Sequence, residues 1–115
     1  MIYNGEMEDL VKNGQGDMMT QKYVYSGNFK HGKIHGFGKA AYYDGGHYQG
    51  NFQNNLRHGK GIFIWVNGDK YKGNWYDNKM TGEGRFFWTS GENFTGMFRD
   101  NKRHGEGMLK DKDNL

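Results

Sequence analysis

The sequence contains no cysteine, no proline and no long hydrophobic run. Without cysteine there is no disulfide framework and no thiolate metal site, which excludes small disulfide-stapled secreted proteins and fits a reducing intracellular compartment. No apolar stretch approaches the roughly 18–20 residues that a membrane-spanning helix needs, and the N-terminus has no signal-peptide pattern. We therefore expect a cytoplasmic protein without a targeting or membrane-spanning segment.

Aliphatic side chains are scarce as well: 34% of the 115 residues are hydrophobic and the mean hydropathy is -1.07. Such values are typical of disordered chains, but 17% of the residues are aromatic, whereas disordered chains contain few aromatic residues. Glycine is abundant too, with 20 residues. Order in this chain is therefore expected to come from rings packed against glycine instead of from an aliphatic core.

One five-residue motif, here called the phrase, recurs at intervals of 23 residues: an aromatic, a variable residue, Gly, a second variable residue and another aromatic. Copies begin at Tyr25, Tyr48, Tyr71 and Phe94, and a weaker copy begins at Tyr3. Each phrase is followed by a Gly-x-Gly pair, and in three repeats by a further aromatic, at Tyr42, Trp65 and Trp88. The chain is predicted to be a single array over 1–115, with repeats near 3–24, 25–47, 48–70, 71–93 and 94–115. Its first and last repeats are degenerate.

Residue alternation predicts two β-strands in every repeat, because the rings and glycines fall on one face and polar residues on the other. One turn position inside successive hairpins holds residues that tolerate positive φ, namely Gly32, Asn55, Asn78 and Asn101. Between hairpins, tight turns are predicted at Asp44-Gly45, Asn67-Gly68 and Ser90-Gly91. The predicted fold is all-β: an elongated, twisted, single-layer antiparallel sheet, a meander of about ten strands.

These residues resemble MORN repeats, a family named for membrane occupation and recognition nexus. The family pattern of Tyr-x-Gly-x-aromatic followed by a Gly-x-Gly pair and a later aromatic matches repeats two to four almost throughout. The resemblance implies a twisted sheet whose aromatic and glycine face forms a groove. Family members occur in junctional membrane proteins, on plant phosphatidylinositol phosphate kinases, before a methyltransferase domain, and in ciliary and cytoskeletal scaffolds.

No catalytic, cofactor or metal site is predicted. There are two serines and no cysteine nucleophile, and a single-layer sheet offers no deep cleft. His35, His58 and His104 share one repeat position, but neighbouring repeats lie ~9–10 Å apart, too far for equivalent residues to share a zinc ion. We therefore predict that the chain is not an enzyme.

The first candidate interaction surface is the aromatic face. Most of its rings must form the core, yet a single layer cannot cover all of them, and partly open Trp and Tyr side chains are favoured anchors for a bound peptide or helix. The central rings are the predicted partner-binding residues: Tyr48, Trp65, Tyr71 and Trp88.

Two further surfaces are predicted elsewhere. On the opposite face, alternation places Ile62, Ile64 and Phe87 together, as a contact or dimer surface unless a local register shift turns some of them inward. A basic set lies mostly near the hairpin turns, comprising Lys30, Lys33, Arg57, Lys60, Lys79, Arg99, Lys102 and Arg103. Along one edge these cations would meet anionic lipid headgroups or an acidic protein, or they serve only as solubilising charge. Acidic residues dilute them too much to favour nucleic-acid binding.

Three functions follow from these surfaces. The leading hypothesis is a non-enzymatic scaffold or adaptor that binds a protein segment along the aromatic groove, in cytoskeletal or membrane-associated assemblies. The second is peripheral association with membranes through anionic phospholipid. The third is a regulatory or targeting module of an enzyme, such as a phosphatidylinositol phosphate kinase.

Overall fold

The structure, a computed structural model, describes residues 2–8 and 11–111. It is one open antiparallel sheet of ten strands, in which neighbours in sequence are neighbours in space. The molecule is elongated, measuring 53 × 24 × 21 Å, and the predicted meander is confirmed. The strands are β1 (Ile2–Glu8), β2 (Val11–Met19), β3 (Tyr23–Lys30), β4 (Lys33–Tyr42), β5 (His47–Gln53), β6 (Leu56–Ile64), β7 (Lys70–Tyr76), β8 (Lys79–Phe87), β9 (Asn93–Arg99) and β10 (Lys102–Lys110).

The turns adopt the conformations that the sequence predicted. Between β5 and β6, Asn54 and Asn55 have φ of 49° and 69°, and Asp77-Asn78 repeats this geometry between β7 and β8. Two consecutive positive φ angles define the tight hairpin turn that matches the twist of the flanking strands. In the longer connections between hairpins, Gly45, Gly68 and Gly91 carry the positive φ.

The paired glycines of each hairpin form a cradle for one ring. Gly50 and Gly61 face each other across β5 and β6, and a Cβ on Gly61 would lie 2.1 Å from the Tyr48 hydroxyl oxygen. The ring of Tyr48 therefore lies directly on the backbone, and its hydroxyl donates to the carbonyl of Asn51 at 2.8 Å. Tyr25 and Tyr71 repeat this arrangement, so ring and glycine form one packing unit.

A second recurring contact ties neighbouring repeats together. The backbone N–H of Asn78 donates to the carbonyl of Arg57 at 3.0 Å, and the Asn78 side-chain oxygen accepts from the backbone N–H of Arg57 at 2.8 Å. Asn55 forms the same two hydrogen bonds with the backbone of Ile34, and Asn101 forms them with the backbone of Met80. The turn position that the sequence singled out for its positive φ is thus also the hydrogen-bonded link between successive hairpins.

Strand alternation holds across the sheet and defines two faces. The ring face carries the buried side chains, all of them hydrophobic, and the other face, here called the polar face, is mostly exposed. The described residues form no helix, so none of them builds an apolar helix long enough to cross a membrane.

A candidate partner-binding face

The deepest layer of the ring face is a continuous row of edge-to-face ring contacts. Tyr48 contacts Phe52 of its own strand at 5.0 Å and Trp75 of the next hairpin at 5.5 Å between ring centroids. Contacts of these two kinds run through every repeat from Tyr3 to Phe94, and such pairs add to the hydrophobic stabilisation of burial. This row is the core of the molecule.

A second row of rings lies beside the first and is only partly covered. We call it the ring strip, and it consists of Tyr23, Tyr42, Phe63, Trp65, Phe86 and Trp88. Centroid distances between its successive members run from 4.7 to 5.7 Å, so the strip is unbroken from β3 to the end of β8. All but Phe63 keep part of their surface exposed to solvent.

Backbone turns fix the position of the strip. Trp65 is the first residue of the connection from β6 to β7: its N–H donates to the carbonyl of Asp69, and its carbonyl accepts from Gly68, both at 2.8 Å. Tyr42 and Trp88 hold the equivalent turn positions with the same pair of bonds. These three side chains project from backbone positions held by two hydrogen bonds each, and their rings pack against the core, so little conformational entropy would be lost if a partner covered them.

Two of the four predicted partner-binding residues are buried, and the other two are partly exposed. Tyr48 is 1% exposed and Tyr71 is 0% exposed, so the prediction that they contact a partner is wrong. The physical reason is that each ring lies in its own glycine cradle under rings of the adjacent repeat. Trp65 and Trp88 belong to the ring strip and keep an accessible surface, so they remain candidates.

The predicted basic edge does not exist as one surface. Arg57 lies on the ring face, with its guanidinium carbon 4.8 Å from the centroid of Trp75 and 5.0 Å from that of Phe63. Arg103 holds the equivalent position two repeats later, 5.8 Å from the centroid of Trp88. Placing Arg57 and Arg103 on an edge was wrong because both alternate inward with the rings.

The remaining cations of the predicted basic set lie at different places in the sheet. Lys60 lies in mid-strand on the polar face, opposite Asn74. Four others pair across hairpin ends, Lys30 with Lys33 and Arg99 with Lys102, and all four are exposed. Lys79 pairs with Tyr76 at the end of β7–β8. Two pairs of cations at separate hairpin ends, a single lysine at a third and Lys60 in mid-strand do not form a single strip.

Register confirms that Ile62, Ile64 and Phe87 all lie on the polar face. Ile64 is opposite Lys70, which is in turn opposite Phe87 on the next strand, and no register shift interrupts this part of the sheet. Phe37, which the sequence analysis did not single out, is 50% exposed on the same face. We call these four apolar residues the polar-face patch.

Five cations surround the polar-face patch, and only Lys60 among them belongs to the basic set predicted from the sequence. They are Lys39, Lys60, Lys70, Lys72 and Arg85. The Lys70 ammonium and the Arg85 guanidinium lie 4.7 and 5.0 Å from the centroid of the Phe87 ring. Two shallow depressions open here, with Ile62 in the lining of both and Glu83 as the one carboxylate.

Three buried tyrosines of the ring face have pKa values above the ordinary value of 10.0. Burial raises the pKa of Tyr71 to about 12, although the hydrogen bond to the Asn74 carbonyl acts in the opposite direction. Burial likewise raises the pKa of Tyr25 and Tyr48. Within the described ranges, no three His, Asp or Glu side chains come together as a metal site.

Comparison with known proteins agrees with the repeat architecture. A search of curated proteins returned no match. The MORN repeat family model matches residues 25–47, 48–70, 71–92 and 94–115 in four tandem copies. It does not reach the predicted first repeat near 3–24, although the β1–β2 hairpin continues the sheet in the same register pattern. The MORN repeat is a repeat module, associated with proteins and membranes, and is not a known enzyme family. Because the match covers most of the chain, this protein belongs to the MORN repeat family.

Proposed function

We propose that this protein is a non-enzymatic adaptor that binds a segment of another protein along the ring strip. The observation that carries the proposal is the strip itself: six rings in contact, five of them partly exposed, three of which stand at hydrogen-bonded turn positions. Apolar side chains scattered singly over a surface are ordinary, but a contiguous aromatic patch indicates an interaction site. Trp and Tyr are also the residues most enriched among those that dominate binding energy.

Substitution of the two exposed tryptophans tests this function. Trp65→Ala with Trp88→Ala removes the largest rings of the strip and leaves Trp75, the third tryptophan, in the core. The matched control is Tyr43→Ala with Tyr76→Ala, which removes two rings that are 57% and 60% exposed and outside the strip. Affinity purification with all three proteins should recover a partner that the wild type and the tyrosine variant retain.

Direct binding of that purified partner gives the quantitative result. Each tryptophan should contribute on the order of 2 kcal/mol, so the double variant is expected to bind at least 100-fold more weakly. Far-UV circular dichroism checks that all variants keep the sheet. Equal loss of binding in the tyrosine control, or none in the tryptophan variant, would reject the ring strip as the binding face.

A second candidate function, association with anionic membrane surfaces, is favoured by the polar-face patch. Four apolar side chains ringed by five cations combine the two interactions that hold a peripheral protein on a lipid surface: buried apolar area and attraction to anionic headgroups. This combination of apolar and cationic side chains is confined to one part of the chain, because the first 21 residues carry a formal charge of -3.

Sedimentation with phosphatidylserine vesicles tests the second function. Replacing Lys70, Lys72 and Arg85 by Gln should weaken binding by about 1 kcal/mol for each cation. Binding should also decrease steeply with added salt. The matched control replaces Lys30, Lys33 and Lys102, three exposed cations at hairpin ends. If the two triple variants lose binding equally, only net charge matters and the patch has no special role.

A further inference from the structure

We infer that the segment bound by the ring strip is an amphipathic helix with an acidic residue at each end of its apolar face. This inference rests on the proposed function and names the chemistry of its partner. Three features of the ring face lead to it: the absence of free backbone groups, the two arginines beside the strip, and the distance between them.

The face of a β-sheet cannot pair with another backbone. Every interior strand is hydrogen-bonded to a neighbouring strand on both sides, and the ring strip lies on the face and not at an edge. A partner segment that buries its backbone there must satisfy its own hydrogen bonds, because buried unpaired backbone groups are costly. A helix satisfies them internally, and an amphipathic helix in an apolar groove is an established mode of recognition.

One repeat position on the ring face alternates between apolar and cationic side chains. It holds Ile34 in the second repeat and Met80 in the fourth, both buried. It holds Arg57 in the third repeat and Arg103 in the fifth, where each guanidinium lies over rings of the strip or the core. In the first repeat the position holds Lys12, whose ammonium lies 5.8 Å from the centroid of the Tyr3 ring. The part of the strip from β6 to β8 is therefore flanked by two arginines, with apolar surface between them.

Neither arginine pairs with a carboxylate among the described residues. His58 Nδ1 lies 3.7 Å from an Asp77 carboxylate oxygen, whereas neither guanidinium has a carboxylate oxygen of residues 2–8 and 11–111 within 4.0 Å. Arg57 donates from Nη1 to the Tyr42 hydroxyl at 2.9 Å and from Nη2 to the Asn78 carbonyl at 3.0 Å, while its buried Nε has no acceptor. A guanidinium offers five donors, so hydrogen atoms remain for a carboxylate. Because Arg57 is already oriented, little side-chain entropy would be lost on binding.

The distance between the two charges sets the spacing of the acids. Arg57 lies on β6 and Arg103 on β10, four strand spacings apart, which amounts to about 19 Å. In an α-helix, residues about 11 or 14 positions apart lie on one side and are separated by ~16 or ~21 Å. The long arginine side chains accommodate either spacing. The partner helix therefore carries Asp or Glu about three to four turns apart, with apolar residues between them.

A displayed library of helical peptides tests this chemistry before a natural partner is identified. The peptides are about 18 residues long on an alanine-rich framework, enough to span both arginines. Sites at the two ends of one face vary among Glu, Gln and Lys, and the central sites of that face vary among Leu, Phe, Met and Ala. Selection on the wild-type chain should enrich Glu at both ends. For one selected peptide, replacing each Glu by Gln should weaken binding about tenfold, as expected for loss of a charge-assisted hydrogen bond.

The same selection is repeated on variants of the protein in which both arginines are replaced by a residue that another repeat carries at the equivalent position. Arg57→Met with Arg103→Met places at both positions the residue that the fourth repeat carries at Met80, and the preference for Glu should disappear. The control, Arg99→Met with Lys102→Met, removes the same charge from an exposed hairpin end and should keep the preference. A proline in the centre of the selected peptide should abolish binding if the bound form is a helix.

The outcomes separate the inference from the function on which it rests. Peptides that need Trp65 and Trp88 but show no preference for Glu, or that bind better with Lys, overturn the acidic helix and leave the ring strip as a binding face. Selected peptides that tolerate the central proline overturn the helix. If no peptide binds the wild type better than it binds the tryptophan double variant, both the inference and the proposed binding face are wrong.

Discussion

The packing of rings on glycine can be tested at one backbone position, Gly61. Its φ is not positive, so alanine is compatible with the backbone there and the substitution tests packing alone. A Cβ at this position would lie 2.1 Å from the hydroxyl oxygen of Tyr48 and 2.3 Å from its Cζ atom. Both distances are far below van der Waals contact, so the ring must move in the Gly61→Ala variant.

The surroundings of Tyr48 determine the size of the effect. The ring is 1% exposed and has edge-to-face contacts with Phe52 and Trp75, so it has no space into which it can move. Forcing a methyl group into such a core costs about 1–3 kcal/mol, and loss of the hydroxyl bond to Asn51 adds about 1 kcal/mol. The lower unfolded-state entropy of alanine offsets about 0.4–1 kcal/mol. We expect a net loss of roughly 1–3.5 kcal/mol in the free energy of unfolding.

Urea denaturation followed by far-UV circular dichroism measures this loss, with Gly105→Ala as the matched control. Nothing lies within 4 Å of a Cβ at Gly105, whose φ is +73°, so that variant reports backbone strain without a clash. In a double-mutant cycle with Tyr48→Ala, which removes the ring, Gly61→Ala should cost nothing further. The reasoning is refuted if Gly61→Ala is no more destabilising than Gly105→Ala, or if its cost is unchanged when the ring is absent.

Two more predictions concern the turn asparagines and the buried phenols. Asn78→Ala removes the acceptor for the Arg57 N–H and leaves a Cβ-bearing residue without its local hydrogen bond at φ 70°, so it should destabilise by about 2–3 kcal/mol in urea denaturation. Asn78→Gly, the residue found at Gly32 in the second repeat, should cost about 1 kcal/mol, and equal costs for both variants would contradict a contribution from φ. Because burial raises the pKa of Tyr25, Tyr48 and Tyr71 above 10.0, the folded state holds these protons more tightly than the unfolded chain. The stability they provide is complete below pH 10.0 and decreases as the pH rises towards about 12, the pKa of Tyr71. Phenolate absorbance from these three residues should therefore appear together with loss of the circular dichroism signal, and ionisation of all three in an intact sheet would contradict this assignment.

The sequence alone determined the architecture of this protein. Its repeat period, the alternation of rings with polar residues and the turn asparagines are local patterns, and each acts within one hairpin or between adjacent hairpins. Asn55 and Asn78 illustrate this, since the positive φ that the sequence required is present at both positions. The glycine pairs could likewise be assigned to packing, because their spacing places them under a ring of the same face.

Only the tertiary structure decided which rings and charges a partner could reach. Tyr48 and Trp65 are equally aromatic and equally central in the sequence, but one is enclosed by residues of the neighbouring repeats and the other begins a turn at the margin of the core. Arg57 and Lys72 are both cations within strands of the central repeats, yet one faces the rings and the other the polar-face patch. Exposure and charge clustering depend on the register between strands that are distant in sequence, and a pattern read along a single strand contains no such information.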